Sequence, residues 1–121
     1  VQGIDDLYYY INEDIDEYNA LCVTKVSGQS TDEVISSTNY RIKGLVKLQR
    51  SVQKTLEFGN KIKRQWDSIR YSCEAYSSAE NESRARYNRR IVKSAIKKIK
   101  TFQKEISECK VSYKRFVASK G

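Results

Sequence analysis

From Ala85 to Phe116 the chain repeats an apolar residue every three or four positions: Ala85, Val92, Ala95, Ile99, Phe102, Ile106, Cys109, Tyr113 and Phe116, with Asn88 the one polar member. Spacing of this kind keeps one face of an α-helix apolar for its whole length, and such a helix has to bury that face against others. Nothing in the chain interrupts helices by force, because the 121 residues include no proline and only five glycines. The expected fold is therefore all-α, one domain over residues 1–121, built as a mostly antiparallel bundle.

Three further stripes supply the partners. Ile4, Leu7, Tyr8, Ile11, Ile15, Tyr18 and Cys22 mark a first helix over roughly 4–26, with Asp5 and Asp6 in its first turn, where the helix dipole favours negative charge. Ser27-Gly28 reads as its stop, Gly28 being suited to a left-handed cap. Of three consecutive tyrosines, Tyr8 falls on the stripe, while Tyr9 and Tyr10 point elsewhere. Ser30-Thr31-Asp32-Glu33 has the spacing of a capping box and opens a second helix over roughly 31–58, carrying Ile35, Thr38, Ile42, Leu45, Val52 and Leu56. Ile62, Trp66, Ile69, Cys73 and Tyr76 form the next stripe, over roughly 60–77. One uninterrupted rod over 31–77 would be about 70 Å long, so Phe58-Gly59-Asn60 is expected to turn or kink the chain. Ser77-Ser78-Ala79-Glu80 then starts a last helix over roughly 78–117, long enough to kink near Asn88 or Thr101. The sum is a bundle of four or more helices, with Trp66 as a core anchor.

Charge is divided along the chain. Residues 1–40 hold eight acids and one base, whereas residues 41–121 hold 22 bases and seven acids. If the acidic part packs beside the basic part, the two fields partly cancel. The run 84–104 stands apart, with nine bases and no acid. Arg86, Arg90, Lys93, Lys97, Lys100 and Lys104 lie within an arc of about 80° on a helix, and Arg89 flanks them. Solvated charge explains many such rows. A row that stays unpaired suits an acidic protein surface, heparin-like polyanions or nucleic-acid phosphates. Nucleic acid is disfavoured by the lack of a helix-turn-helix signature, a zinc finger or a stacking sheet.

Catalysis is not expected. With no histidine, the commonest general acid–base and the Ser-His and Cys-His nucleophile pairs are unavailable. There is no Cys-x-x-Cys spacing for zinc and no phosphate-cradling glycine loop, so neither metal nor cofactor is expected. The acids Glu13, Asp14, Asp16 and Glu17 sit in helix, where solvation accounts for them. No apolar run approaches a membrane span of about 18 residues. Cys22, Cys73 and Cys109 each lie on an apolar stripe, and buried free thiols are one reading. The sequon Asn81-Glu82-Ser83 supports the other, a secreted protein with one disulfide and one spare thiol. Cys22–Cys73 needs the least adjustment in an idealised bundle, while kinks would bring Cys109 to either partner.

The opening helix Ile4-Asp5-Asp6-Leu7-Tyr8-Tyr9-Tyr10-Ile11-Asn12-Glu13, the cysteine at Cys22 and the Lys-rich last helix with Ile106-Ser107-Glu108-Cys109 carry a family likeness. The chain resembles small secreted salivary proteins of anopheline mosquitoes, the albicin and anophensin group. It is also similar to the helical C-terminal domain of the mosquito collagen-binding antiplatelet proteins. The resemblance implies a disulfide-bonded helical protein of saliva that disarms host plasma defence. The albicin branch implies the alternative-pathway convertase of complement as target, and the anophensin branch implies the contact (kallikrein–kinin) system. The collagen-binding proteins carry an acidic Gly-rich N-terminal region that this chain lacks. Outside that family, a non-salivary basic helical binding module fits the same residues.

Overall fold

The computed structural model describes residues 3–76 and 79–120, with side chains for all of these except 69–76 and 79–81. Helix α1 spans Ile4–Tyr18 and continues into a π-helical turn, Asn19–Val23. Helix α2 spans Thr31–Tyr76 and α3 spans Ala79–Lys120. The fold is an all-helical, disulfide-bonded bundle, with no strand among the described residues. Among the described residues it has three α-helices, not the four or more that the sequence suggests. The stripes assigned to 31–58 and 60–77 belong to one rod of 46 residues, about 69 Å long.

Gly59 explains the difference. It is buried within α2, and a Cβ there would sit 3.2 Å from Ile96 Cγ1 and 3.5 Å from Leu7 Cδ1. The glycine lets three helices approach one another; it does not turn the chain. Gly44 plays the same part higher on α2, where a Cβ would meet Leu21 Cδ2 at 2.9 Å. A glycine inside a helix costs about 1 kcal/mol of helix propensity. Here that cost is offset by the close seating of Leu7 and Leu21, which are 0% and 6% exposed.

The two long helices form an antiparallel hairpin. Gln49 Oε1 accepts from Lys110 Nζ at 2.8 Å, Gln103 Nε2 donates to Gln53 Oε1 at 3.0 Å, and Arg89 pairs with Asp67. Between them lies the core of Leu45, Leu48, Val52, Ile62, Val92, Ala95, Ile99 and Ile106. Trp66 joins it as expected, although its Nε1 finds no hydrogen-bond partner among the described residues. Helix α1 runs antiparallel to α2, with Gly3 against Ile62, Leu7 against Gly59, Asp14 against Ser51 and Leu21 against Gly44. Gly3 caps α1 with φ +129°, a conformation that L side chains rarely adopt, and its carbonyl accepts the Leu7 N–H at 2.8 Å.

Local signals end and begin these helices. The Ser30 hydroxyl accepts the Glu33 N–H at 3.2 Å, and the Glu33 carboxylate reaches back to the Gln29 N–H at 2.7 Å. That is the expected capping box, displaced by one residue on its return bond. The first helix ends at Val23, earlier than the expected 26, and Gly28 is not in the left-handed region. Its exposed carbonyls are met by a side chain in place of a glycine cap. Arg41 donates to the carbonyls of Leu21 (3.0 Å), Lys25 (3.1 Å) and Thr24, and to the Tyr113 hydroxyl, which itself donates to Leu21 O. Arg41→Ala leaves these carbonyls without their charged donor, and is expected to cost about 2–3 kcal/mol in urea unfolding. Arg41→Lys should recover only part, since a compact ammonium lacks the forked geometry. A loss under about 0.5 kcal/mol for the alanine variant would refute this reading of the clasp.

Beneath the clasp, Cys22 and Cys109 form a disulfide with Cα atoms 6.3 Å apart. This corrects the Cys22–Cys73 preference. Because α2 does not break at Gly59, position 73 is carried to the far end of the hairpin from position 22. The side chains of Cys73, Ile69 and Tyr76, the Ser77-Ser78-Ala79-Glu80 cap and Asn81 of the sequon lie outside the described residues.

Candidate docking face on the third helix

The apolar stripe of α3 turns inward as its spacing requires: Ala85, Val92, Ala95, Ile99 and Ile106 are at most 2% exposed. The opposite side is therefore committed to solvent. It presents Arg86, Arg90, Lys93, Lys97, Lys100 and Lys104, all exposed. The row is not uniform. Arg86 pairs with Glu82 one turn earlier, and flanking Arg89 is held by Asp67 of α2. Arg90, Lys93, Lys97, Lys100 and Lys104 have no ion-pair partner among the described residues. From Arg90 to Lys104 they cover about 21 Å of helix at 1.5 Å per residue. Beyond Lys104 the row ends, because Glu108 borders the same surface depression as Lys104 and Arg115.

The acids of the opening segment are turned elsewhere. Glu13, Asp16 and Glu17 form one wall of a groove of about 710 Å³ whose other wall carries Lys43 and Lys47 of α2. Glu13 also shares a second depression with Lys54. The cancellation anticipated from the charge division thus operates between α1 and α2, and it leaves α3 uncovered. The cations of α2 that border these depressions, Lys43, Lys47 and Lys54, fall with Arg50 in a series of three- and four-residue steps, a signal as plain as that of α3.

The solvated-acid reading of α1 fails at one position. Asp14 is only 5% exposed and accepts hydrogen bonds from Ser51 Oγ at 2.6 Å and Thr55 Oγ1 at 2.8 Å. Its place was visible in the spacing, since Leu7, Ile11, Asp14, Tyr18 and Leu21 form an uninterrupted three- and four-residue series. Centring the face on that series moves Tyr8 and Ile15 to its flank. Tyr8, expected in the core, is 39% exposed, and Ile15 is 38% exposed. Tyr10 instead packs edge-on against Phe58, with ring centroids 5.4 Å apart.

Among the described residues no group of three or more His, Cys, Asp or Glu side chains is placed to hold a metal ion, and no helix is long and apolar enough to cross a membrane. A row of exposed cations attracts anionic surfaces. No known protein family, curated protein or solved structure matches this chain.

Proposed function

We propose that the protein is a secreted, non-enzymatic salivary inhibitor that docks on the alternative-pathway convertase of complement through the cationic row of α3. One observation carries the docking part: Arg90, Lys93, Lys97, Lys100 and Lys104 stand exposed and unpaired on one side of an unbroken helix. A rigid row of fixed charge steers an acidic partner with little ordering cost on binding. The disulfide supports an oxidising, extracellular setting. The target comes from the likeness to the albicin group.

Lysis of rabbit erythrocytes by human serum through the alternative pathway tests the target, with protection expected at micromolar protein. Full lysis at that concentration would exclude the convertase. The triple reversal Lys93→Glu, Lys97→Glu, Lys100→Glu tests the face. It is expected to slow association with immobilised convertase at least about tenfold at low salt, and to flatten its salt dependence. An unchanged association rate would mean that these cations serve solubility alone.

The same unpaired row favours a second reading, inhibition of contact activation by masking the anionic surfaces on which it proceeds. Retention on heparin above physiological salt supports this reading, and elution below it removes it.

A further inference from the structure

A second candidate site lies away from the docking face, where α1 leans over the hairpin. Helix α1 is seated on α2 by Leu7 and Leu21, but on the side toward α3 it leaves a cavity of about 290 Å³. Ile11, Ile15, Val52 and Ile99 make its walls apolar. Tyr18 and Phe102 add an edge-to-face aromatic pair, with ring centroids 5.3 Å apart. Val52, Thr55, Ile99 and Asp14 are the buried members and define the deep end; Ile15, Asn19, Lys98 and Glu105 are exposed and define the mouth.

Asp14 is the unusual member of this set. A carboxylate taken out of water is costly unless a cation or enough donors meet it. Here Ser51 and Thr55 each donate one hydrogen bond, one to each oxygen, and no Lys or Arg forms an ion pair with it among the described residues. A carboxylate has about four acceptor sites, so about two are left. The two opposite charges at the mouth, Lys98 and Glu105, offset each other and leave Asp14 to set the sign inside. Burial first, then the charges of Glu105 and Glu108, push the Tyr18 phenol above its ordinary range, so that wall stays uncharged at neutral pH.

We infer that this cavity binds a small aromatic amine, its ring between the aliphatic walls and the Tyr18–Phe102 pair, its ammonium donating to Asp14. Asp14 also borders the depressions of Lys43, Lys47 and Lys54, and Lys98 lines this cavity, yet none of the four forms an ion pair with it among the described residues; an amine supplies a cation that reaches the carboxylate through an apolar passage. The charged hydrogen bond is of the strong kind, and the ring faces favour a neighbouring cation. An anionic amphiphile would bring a second negative charge against Asp14. A neutral alcohol of the same shape fills the walls and forgoes the charge.

Isothermal titration of the intact, disulfide-bonded protein with phenethylamine, 2-phenylethanol and 3-phenylpropanoate tests this directly. Phenethylamine is expected to bind with Kd at or below about 1 mM, the alcohol at least about tenfold more weakly, and the acid not at all. Asp14→Asn should abolish the preference for amine over alcohol. If that variant does not fold, Ile15→Trp serves, since the substitution is at the exposed mouth and fills it; the variant should fold and lose amine binding. No heat with phenethylamine, equal affinity for the alcohol, preference for the acid, or undiminished amine binding by Ile15→Trp would each overturn the assignment. The triple reversal on α3 leaves this cavity intact, so it should bind amine as the wild type does; loss there would place the amine elsewhere and overturn it too.

Discussion

Replacing Cys22 and Cys109 with serine is expected to lower the unfolding free energy by about 4 kcal/mol and Tm by about 15 °C. The bond joins positions 87 residues apart. In the chain-entropy account a loop of that length restricts the unfolded chain more than the short loops of most small disulfide proteins do. The folded side of the balance points the same way. Helix α1 with its π-helical turn is seated along α2, yet its described links to α3 reduce to the Leu7 region, the Tyr18–Phe102 ring pair, the Tyr113 hydroxyl on Leu21 O and the disulfide itself. Without the bond, α1 and its π-helical turn are held to the hairpin mainly from one side. The loss should therefore be uneven. Amides of Ile4–Val23 are expected to exchange with solvent much faster in the double serine variant, while those around Val52, Ile99 and Ile106 keep most of their protection. Adding Cys73→Ser to both proteins removes thiol exchange from the comparison. Thermal unfolding and hydrogen exchange measure the two parts separately. A fall in Tm below about 5 °C, with α1 still protected, would show that packing alone holds the first helix.

What could be read in the sequence follows from how locally each feature is encoded. The inward face of α3 needs only a periodic stripe, and the stripe from Ala85 to Phe116 lies as its spacing predicts. The start of α2 needs only Ser30 and Glu33. Features that depend on a neighbour were not legible in this way. Gly28 resembles a helix stop by composition, but the stop is made by Arg41, seventeen residues after Thr24, whose carbonyl it meets. Asp14 resembles its solvated neighbours Glu13 and Asp16 in type; spacing puts it on the inward face, but the hydroxyl partners on α2 that satisfy it there were not legible. The disulfide depends on helix heights, and a single wrong turn at Gly59 moved Cys73 from one end of the bundle to the other. The cationic row could be located from spacing, but which of its members are free could not. That depended on Asp67 reaching Arg89 across the hairpin, and on the α1 acids facing Lys43 and Lys47.

Gly59 also tests its own burial by experiment, because a buried and an exposed helix position predict opposite signs for one substitution. At an exposed helix position, Gly59→Leu would replace a poor helix former with a good one and stabilise the protein by about 0.8 kcal/mol. In the three-helix bundle it should destabilise by about 3 kcal/mol or more. The first added carbon already meets Ile96 Cγ1 at 3.2 Å and Leu7 Cδ1 at 3.5 Å, and Leu7 is 0% exposed, so the remaining three carbons have no open direction. Gly59→Ala tests the balance more finely. Its gain in helix propensity, about 1 kcal/mol, is set against one tight contact, so its effect should be near zero. The contact also names its own rescue. Ile96→Ala alone opens a cavity and costs about 2–4 kcal/mol, but combined with Gly59→Leu the two losses should sum to less than their separate values. Urea unfolding of the three variants and the double variant completes the cycle. Full additivity would mean that Gly59 and Ile96 do not face each other, and a stabilising Gly59→Leu would place Gly59 at an exposed helix position. A coupling of about 1 kcal/mol or more would set Gly59 of α2 directly against Ile96 of α3, as the three-helix packing requires.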